Sequence, residues 1–171
     1  VATYYKQRLP SYEVFDEERY FESGDDPCVL TIKGVRCGVN ICADVWEAGA
    51  ADLARQAGAE VLLVLNASPY HIGKRERRTE VLRQRTASTG LPVVYANLAG
   101  GQDELVFDGG SFVLDSQGAL CCQWAQFEET LGIVDFVDGQ PQPGTIVPAP
   151  CLEAEVYQAL QTGVVDGTEN P

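Results

Sequence analysis

The chain has one histidine, no C-x-x-C pair, no lysine or arginine after Arg85, and no apolar run longer than V-L-L-V-L at Val61 to Leu65. Each scarcity excludes something. A single His71 leaves most Ser-His-Asp and Cys-His arrangements without a base unless that residue supplies it. Six cysteines (Cys28, Cys37, Cys42, Cys121, Cys122 and Cys151) without paired spacing argue against a zinc site. They also do not read as a secreted disulfide framework, so reduced thiols in a cytoplasmic protein are expected. A five-residue apolar run cannot span a bilayer, and no secretory leader is read at the start of the chain.

Charge is distributed unevenly. All twelve bases lie at or before Arg85 beside thirteen acids, and from Thr86 onward there are twelve acids and no base, for a net charge of -13. A nucleic-acid platform needs a broad basic surface, which this chain lacks. An anionic ligand would have to use the first half. At 171 residues the chain holds one domain with a real core.

What is present is regular from Cys28 onward. V-L-T-I predicts a strand, Lys33-Gly34 a tight turn, and Val35 to Cys42 the partner strand, in which Gly38 allows close backbone approach. Ala43 to Ala57 predicts a helix with Asp44 as its cap and a stop at Gly58. Val61 to Asn66 and Val93 to Leu98 read as buried strands, separated by a helix from Lys74 that Gly90 closes. G-G-Q-D-E-L and F-D-G-G-S are not phosphate loops and read as turns within a Gly-rich loop. A hairpin around S-Q-G, a strand over Thr130 to Phe136, a Pro-rich linker from Pro141 to Pro150 and a helix from Leu152 to Thr162 complete the pattern. Alternating strands and helices define an α/β sheet with hairpins on its far side. Residues 1 to 27 are a loop rich in aromatics and carboxylates, folded over a site or packed under the sheet.

The stretch V-R-C-G-V-N-I-C-A-D-V-W places Cys42 where a strand meets a helix. There a thiol points out of the sheet, and the helix start lowers its pKa and receives an oxyanion. The alternative is a buried small hydrophobe. His71, in a loop after Pro69, reads as solvated or structural, so a lysine or glutamate would have to activate the thiol. Lys6, among aromatics that exclude water, is the candidate, although most lysines are simply solvated. Of the basic helix, Arg75, Arg77, Arg78, Arg83 and Arg85 read as a solvated or interface face interleaved with Glu76 and Glu80. Lys74 stands apart at the helix start, where a carboxylate ligand would be favoured.

G-V-N-I-C-A-D-V-W followed by V-L-L-V-L-N-A-S-P-Y-H-I-G-K-R-E-R-R resembles the carbon-nitrogen hydrolase (nitrilase) superfamily, and within it the glutaminase domains of glutamine-dependent NAD synthetases. K-Q-R-L-P-S-Y-E-V-F-D-E-E-R-Y-F, V-V-Y-A-N-L-A-G-G-Q-D-E-L-V-F-D-G-G-S-F and L-E-A-E-V-Y-Q-A-L fit the same subfamily. The resemblance implies a partial α-β-β-α sandwich over residues 1–140. Residues 141–171 would be a linker and helix leading to a synthetase domain that this chain lacks. It implies a Glu-Lys-Cys triad in which Cys42 is the nucleophile, Lys6 the lysine and Glu17 a second glutamate orienting it. Substrate glutamine would be held by Tyr12, Phe15, Trp46, Ser68 and Lys74, with the Ala43 N–H at the oxyanion.

Cys42 would attack the glutamine amide, release ammonia and leave a thioester for hydrolysis. The ammonia would amidate deamido-NAD in the synthetase domain, a homo-oligomer when full length, whose ATP and Mg have no counterpart loop here; no cofactor is expected in this chain. Three departures follow. The general-base glutamate belongs upstream of Val1, Ala43 replaces the usual Glu after the nucleophile, and the pattern is lost after Gly163. A stand-alone amidase on another small amide, or an inactive binding and assembly module, are the other readings.

Overall fold

The structure, a computed structural model, describes residues 2–12 and 14–142 and the strand Thr145–Val147. Among the described residues twelve strands follow in chain order: β1 Cys28–Ile32, β2 Val35–Ile41, β3 Val61–Asn66, β4 Val93–Asn97, β5 Ala99–Gln102, β6 Leu105–Asp108, β7 Phe112–Leu114, β8 Leu120–Gln123, β9 Leu131–Ile133, β10 Phe136–Val137, β11 Gln140–Pro141 and β12 Thr145–Val147. The α-helices among the described residues are α1 Ala50–Gln56 and α2 Lys74–Thr89. Six strands form one sheet in the order β1-β2-β3-β4-β7-β8. Its centre is parallel, β2 with β3 and β3 with β4, joined by crossovers through α1 and α2. The outer pairs are antiparallel. Parallel neighbours need such crossovers because a tight turn cannot reverse the chain direction twice.

Both helices cover one face. Leu62, Val64, Val93, Tyr95, Phe112 and Leu114 point from the sheet onto Ala51, Ala54 and Leu82, all essentially inaccessible. Tyr95 stacks on Phe112 with ring centroids 4.8 Å apart. Gly38 fulfils its predicted role: a Cβ there would come within 3.0 Å of the Cβ atoms of Ala54 and Ala59, so only glycine lets α1 lie this close to β2. The register aligns Val39, Leu63 and Val94 on the opposite face. There Leu65 is 53% exposed, so that face is apolar and partly open.

Several expectations need correction. The helix after Cys42 does not begin at Ala43. Cys42–Val45 is a single 3-10 turn, and α1 starts at Ala50, after Gly49 at φ +121° interrupts the chain. Asp52, not Asp44, accepts the Gly49 N–H at that start, at 3.0 Å. The Gly-rich stretch is not a loop: Ala99–Gln102 and Leu105–Asp108 pair as a hairpin. Thr130 to Phe136 divides into β9 and the start of β10. Thr145–Val147, inside the predicted linker, pairs antiparallel with β9. The predicted helix Leu152 to Thr162 lies outside the described residues.

Candidate active site

The site is built at the end of β2. Cys42 has φ +44°, a left-handed conformation that a non-glycine residue adopts only when its surroundings enforce it. Asp44 supplies that enforcement. Fully buried, its carboxylate accepts the Ile41 N–H at 2.8 Å, the Gln7 N–H at 2.9 Å, the Arg8 N–H at 2.8 Å and the Tyr4 hydroxyl at 2.8 Å. Asn40 Nδ2 in turn donates to the Tyr4 oxygen at 3.1 Å. Burial and the neighbouring carboxylate raise the Tyr4 pKa far above its ordinary value, so its hydroxyl keeps its proton and donates. One carboxylate thus ties the segment Tyr4 to Arg8 to the turn that carries Cys42.

Lys6 lies in the tied segment. Its ammonium donates to both oxygens of Glu17, at 2.7 and 2.6 Å, and the pair is largely shielded from solvent. Glu17 is presented by a short 3-10 turn, Glu17–Arg19, whose first N–H donates to the Pro10 carbonyl at 3.1 Å. Both charges act on Cys42. Burial pushes the Cys42 thiol above its ordinary pKa; Lys6 opposes this most strongly and Lys74 less, whereas Glu17 and Asp44 add to it. The expected lowering by a helix start is therefore not found. Its physical reason is geometric: a four-residue 3-10 turn follows Cys42 in place of a helix, and loss of water dominates.

A raised pKa keeps the thiol neutral at pH 7. Alkylation of Cys42 should then climb about tenfold per pH unit and continue rising where an exposed thiol, half ionised near pH ~8.5, has levelled off. Site-resolved mass spectrometry across a pH series checks this, and a plateau below pH ~8 would contradict it.

Cys42 opens into a cavity of about 280 Å³. Ala43 and Trp46 enter it from the turn, Ser68 from the loop after β3, Lys74 from the start of α2, and Tyr12 and Phe15 from the N-terminal segment. Tyr12 and Phe15 meet edge to face, 6.2 Å apart. All seven cavity residues named from the sequence therefore share one space, with Lys6 and Glu17 coupled to its thiol. His71 also lines it, its ring exposed and Nδ1 3.1 Å from the Ile72 carbonyl oxygen. Tyr70, Arg77 and Leu105 line it too. Among the described residues no group of three His, Cys, Asp or Glu side chains is gathered as for a metal. The five described cysteines are free thiols.

Sequence reasoning missed the support beneath Ser68. Arg78 was read as part of a solvated face, yet it is 3% exposed. Its guanidinium donates to both Asp108 oxygens at 2.7 and 3.0 Å, to the Ser68 carbonyl at 2.7 Å and to Ser68 Oγ at 3.3 Å. Asn97 Oδ1 accepts the Ser68 N–H at 3.0 Å, and Gln126 donates to Asp108 at 2.6 Å. A buried ion pair persists when its remaining lone pairs and protons are satisfied in this way. Asp108, in the F-D-G-G-S read as a turn, closes β6 with its carboxylate fully buried. The available signal was Leu82, which shares the inner face of α2 with Arg78 four residues earlier.

A thiol on an enforced turn, an ammonium locked to a carboxylate beside it and a small aromatic cavity are the parts of a cysteine acyl-transfer centre on an α/β sheet. Residues 1–140 match the Carbon-nitrogen hydrolase family, and the chain belongs to it. It is similar to the glutamine-dependent NAD(+) synthetase of Xanthomonas campestris pv. campestris, 48% identical over 141 residues that make up 81% of this chain and 26% of that protein. A solved glutamine-dependent NAD+ synthetase from Acinetobacter baumannii, in complex with ADP, superposes with a TM-score of 0.77 at 39% identity, over 91% of this chain and 30% of that one. A mutant amidase from Nesterenkonia sp. AN1, bearing the product of Michael addition of acrylamide at its active-site cysteine, superposes at 0.65 with 26% identity, over 92% of this chain and 57% of that one. The chain thus spans under a third of the synthetases that it matches. No described helix is long and apolar enough to cross a membrane.

Proposed function

We propose that this chain is the glutamine-hydrolysing part of a glutamine-dependent NAD synthetase. Cys42 Sγ attacks the side-chain amide carbon of glutamine, ammonia leaves, and water cleaves the resulting thioester to give glutamate. The Lys6 ammonium stabilises the thiolate and then the tetrahedral oxyanion, with the Ala43 N–H as a second donor. Glu17 fixes Lys6 by engaging it with both oxygens. For that reason the thiol proton goes to another carboxylate, the glutamate that the family places upstream of its lysine. Tyr12, Phe15 and Trp46 enclose the substrate's methylenes while Ser68 and Lys74 hold its polar end. The released ammonia serves a synthetase domain that amidates deamido-NAD, and ATP and Mg are used there. The full-length protein is read as a cytoplasmic homo-oligomer.

The observation that carries this reading is the convergence of the Lys6–Glu17 pair and the aromatic cavity on one neutral thiol. Likeness to the Nesterenkonia amidase favours a second reading, hydrolysis of a simple aliphatic amide. Ammonia release from glutamine, asparagine and propionamide by the full-length protein separates the two. Glutamine should lead; propionamide ahead of glutamine would overturn the proposal.

A further inference from the structure

Arg78 and Asp108 are buried charges to which the acyl-transfer chemistry gives no task. Both are essentially closed to solvent, and a buried ion pair is a poor source of stability, since apolar side chains of similar volume often serve a core as well or better. The guanidinium divides its three nitrogens between two partners. Nη1 engages both Asp108 oxygens, at 2.7 and 3.0 Å, whereas Nε and Nη2 serve Ser68, at its Oγ (3.3 Å) and its carbonyl oxygen (2.7 Å). Nη2 also donates to the Pro69 carbonyl at 3.3 Å. The Ser68 N–H donates to Asn97 Oδ1 at 3.0 Å, and Asn97 is itself fixed by donating to the Gly109 carbonyl at 2.9 Å. The backbone N–H, the backbone carbonyl and the side-chain oxygen of Ser68 are thus each held, two of the three by Arg78.

Three walls of the cavity in front of Cys42 meet at this pair. Ser68 lies on the loop after β3, Arg78 one turn further along α2 than Lys74, and Asp108 at the end of β6, the strand that begins with Leu105; Ser68, Lys74 and Leu105 all line the cavity. A guanidinium is planar and its donors leave at fixed angles, so it sets both distance and direction between its partners, which an ammonium group does not. The thiol lies outside its reach. The pair carries no net charge, and the main influences on the Cys42 thiol are burial, Lys6, Glu17, Lys74 and Asp44. From this geometry we infer that Arg78, anchored by Asp108, is a positioning residue of the glutamine site. It acts through Ser68, setting how tightly the acyl donor is held and leaving the reactivity of Cys42 untouched. This rests on the proposed function, in which Ser68 holds the polar end of the donor.

Two reagents separate holding from reactivity on the 171-residue chain. Both form a carbon–sulfur bond as halide leaves. Iodoacetamide needs only the thiolate and access to it, whereas glutamine chloroketone must also be bound, so that its rate at Cys42 saturates with concentration. Site-resolved mass spectrometry gives the half-saturating concentration and the limiting rate. Ser68→Ala and Arg78→Lys should each raise the half-saturating concentration about tenfold, the equivalent of one lost hydrogen bond, and leave the limiting rate and the iodoacetamide rate within about twofold of the parent. The double variant should match the weaker single variant within about twofold, because two changes along one line of contacts do not multiply. An unchanged half-saturating concentration in either single variant, or multiplied effects in the double variant, would overturn the inference. So would an iodoacetamide rate that moves together with the half-saturating concentration, or loss of the folded state in Arg78→Lys, which keeps the charge pair, since either shows that Arg78 serves the fold alone. Ser68→Ala removes one hydroxyl and disturbs no charge, so its result stands by itself. In each of these cases selective labelling of Cys42 in the parent leaves the proposed glutamine hydrolysis standing. Labelling by the chloroketone no faster at Cys42 than at the other cysteines of the parent would remove the proposed function and this inference together.

Discussion

Lys6→Met is expected to slow alkylation of Cys42 at neutral pH by between about tenfold and a hundredfold, because an opposite charge nearby is worth one to two pKa units to an ionising thiol. The sign follows from the groups that act on the sulfur. Burial already raises the Cys42 pKa, Lys6 is the strongest opposing influence, and Glu17 acts in the same direction as burial. Removing the ammonium therefore leaves burial, Glu17 and Asp44 opposed by Lys74 alone. The rate should recover when the pH is raised, since the lesion lies in the thiolate fraction and not in access to the sulfur. Glu17→Gln on the Lys6→Met background should recover part of it at constant pH, because the stronger of the two negative charges that act on the thiol is removed. A pH–rate profile for each variant decides this, and an unshifted profile in Lys6→Met would show that the ammonium does not act on the sulfur.

Asp44→Ala is expected to cost about 3–4 kcal/mol of folding stability, because four donors that converge on a fully buried carboxylate would lose their acceptor. It should also slow alkylation of Cys42, since the Tyr4 to Arg8 segment that delivers Lys6 is held to the turn by the same group. Asp44→Asn should fall between, because an amide oxygen still accepts from some of these donors while its NH₂ faces others. Urea denaturation measures the first effect and site-resolved labelling the second. An unchanged midpoint in Asp44→Ala would contradict the structural role, and an unchanged labelling rate in the folded variant would contradict the positioning role.

These two residues mark where the sequence was legible and where it was not. Cys42 stood out because a strand-like alternation ends at it, and backbone periodicity is a local property. The strands around it, the Lys33-Gly34 turn and the stop of α2 at Gly90 were legible for the same reason. Lys6 and Glu17 could not be joined to Cys42 by spacing, since their proximity is a tertiary fact; aromatic neighbours nominated Lys6, and only likeness to a family added Glu17. Asp44 was read as a helix cap because its local context permits that role, whereas its partners at Tyr4, Gln7 and Arg8 lie about forty residues away. Arg78 failed in a similar way. Five arginines in one helix read as a solvated or interface face, and nothing nearby in the chain announces Asp108, thirty residues later. The start of α1 was misplaced because an alanine-rich run carries helical propensity throughout, and Gly49 at positive φ overrides it at one point.

The most direct test of the account is to ask which of the six cysteines glutamine itself protects. The chain is treated with glutamine chloroketone, digested, and the modified residues are identified by mass spectrometry, with and without excess glutamine. The account predicts that Cys42 is modified at least about tenfold faster than any other cysteine, and that glutamine slows that modification and no other. Modification spread evenly over the cysteines, or a rate at Cys42 indifferent to glutamine, would contradict it.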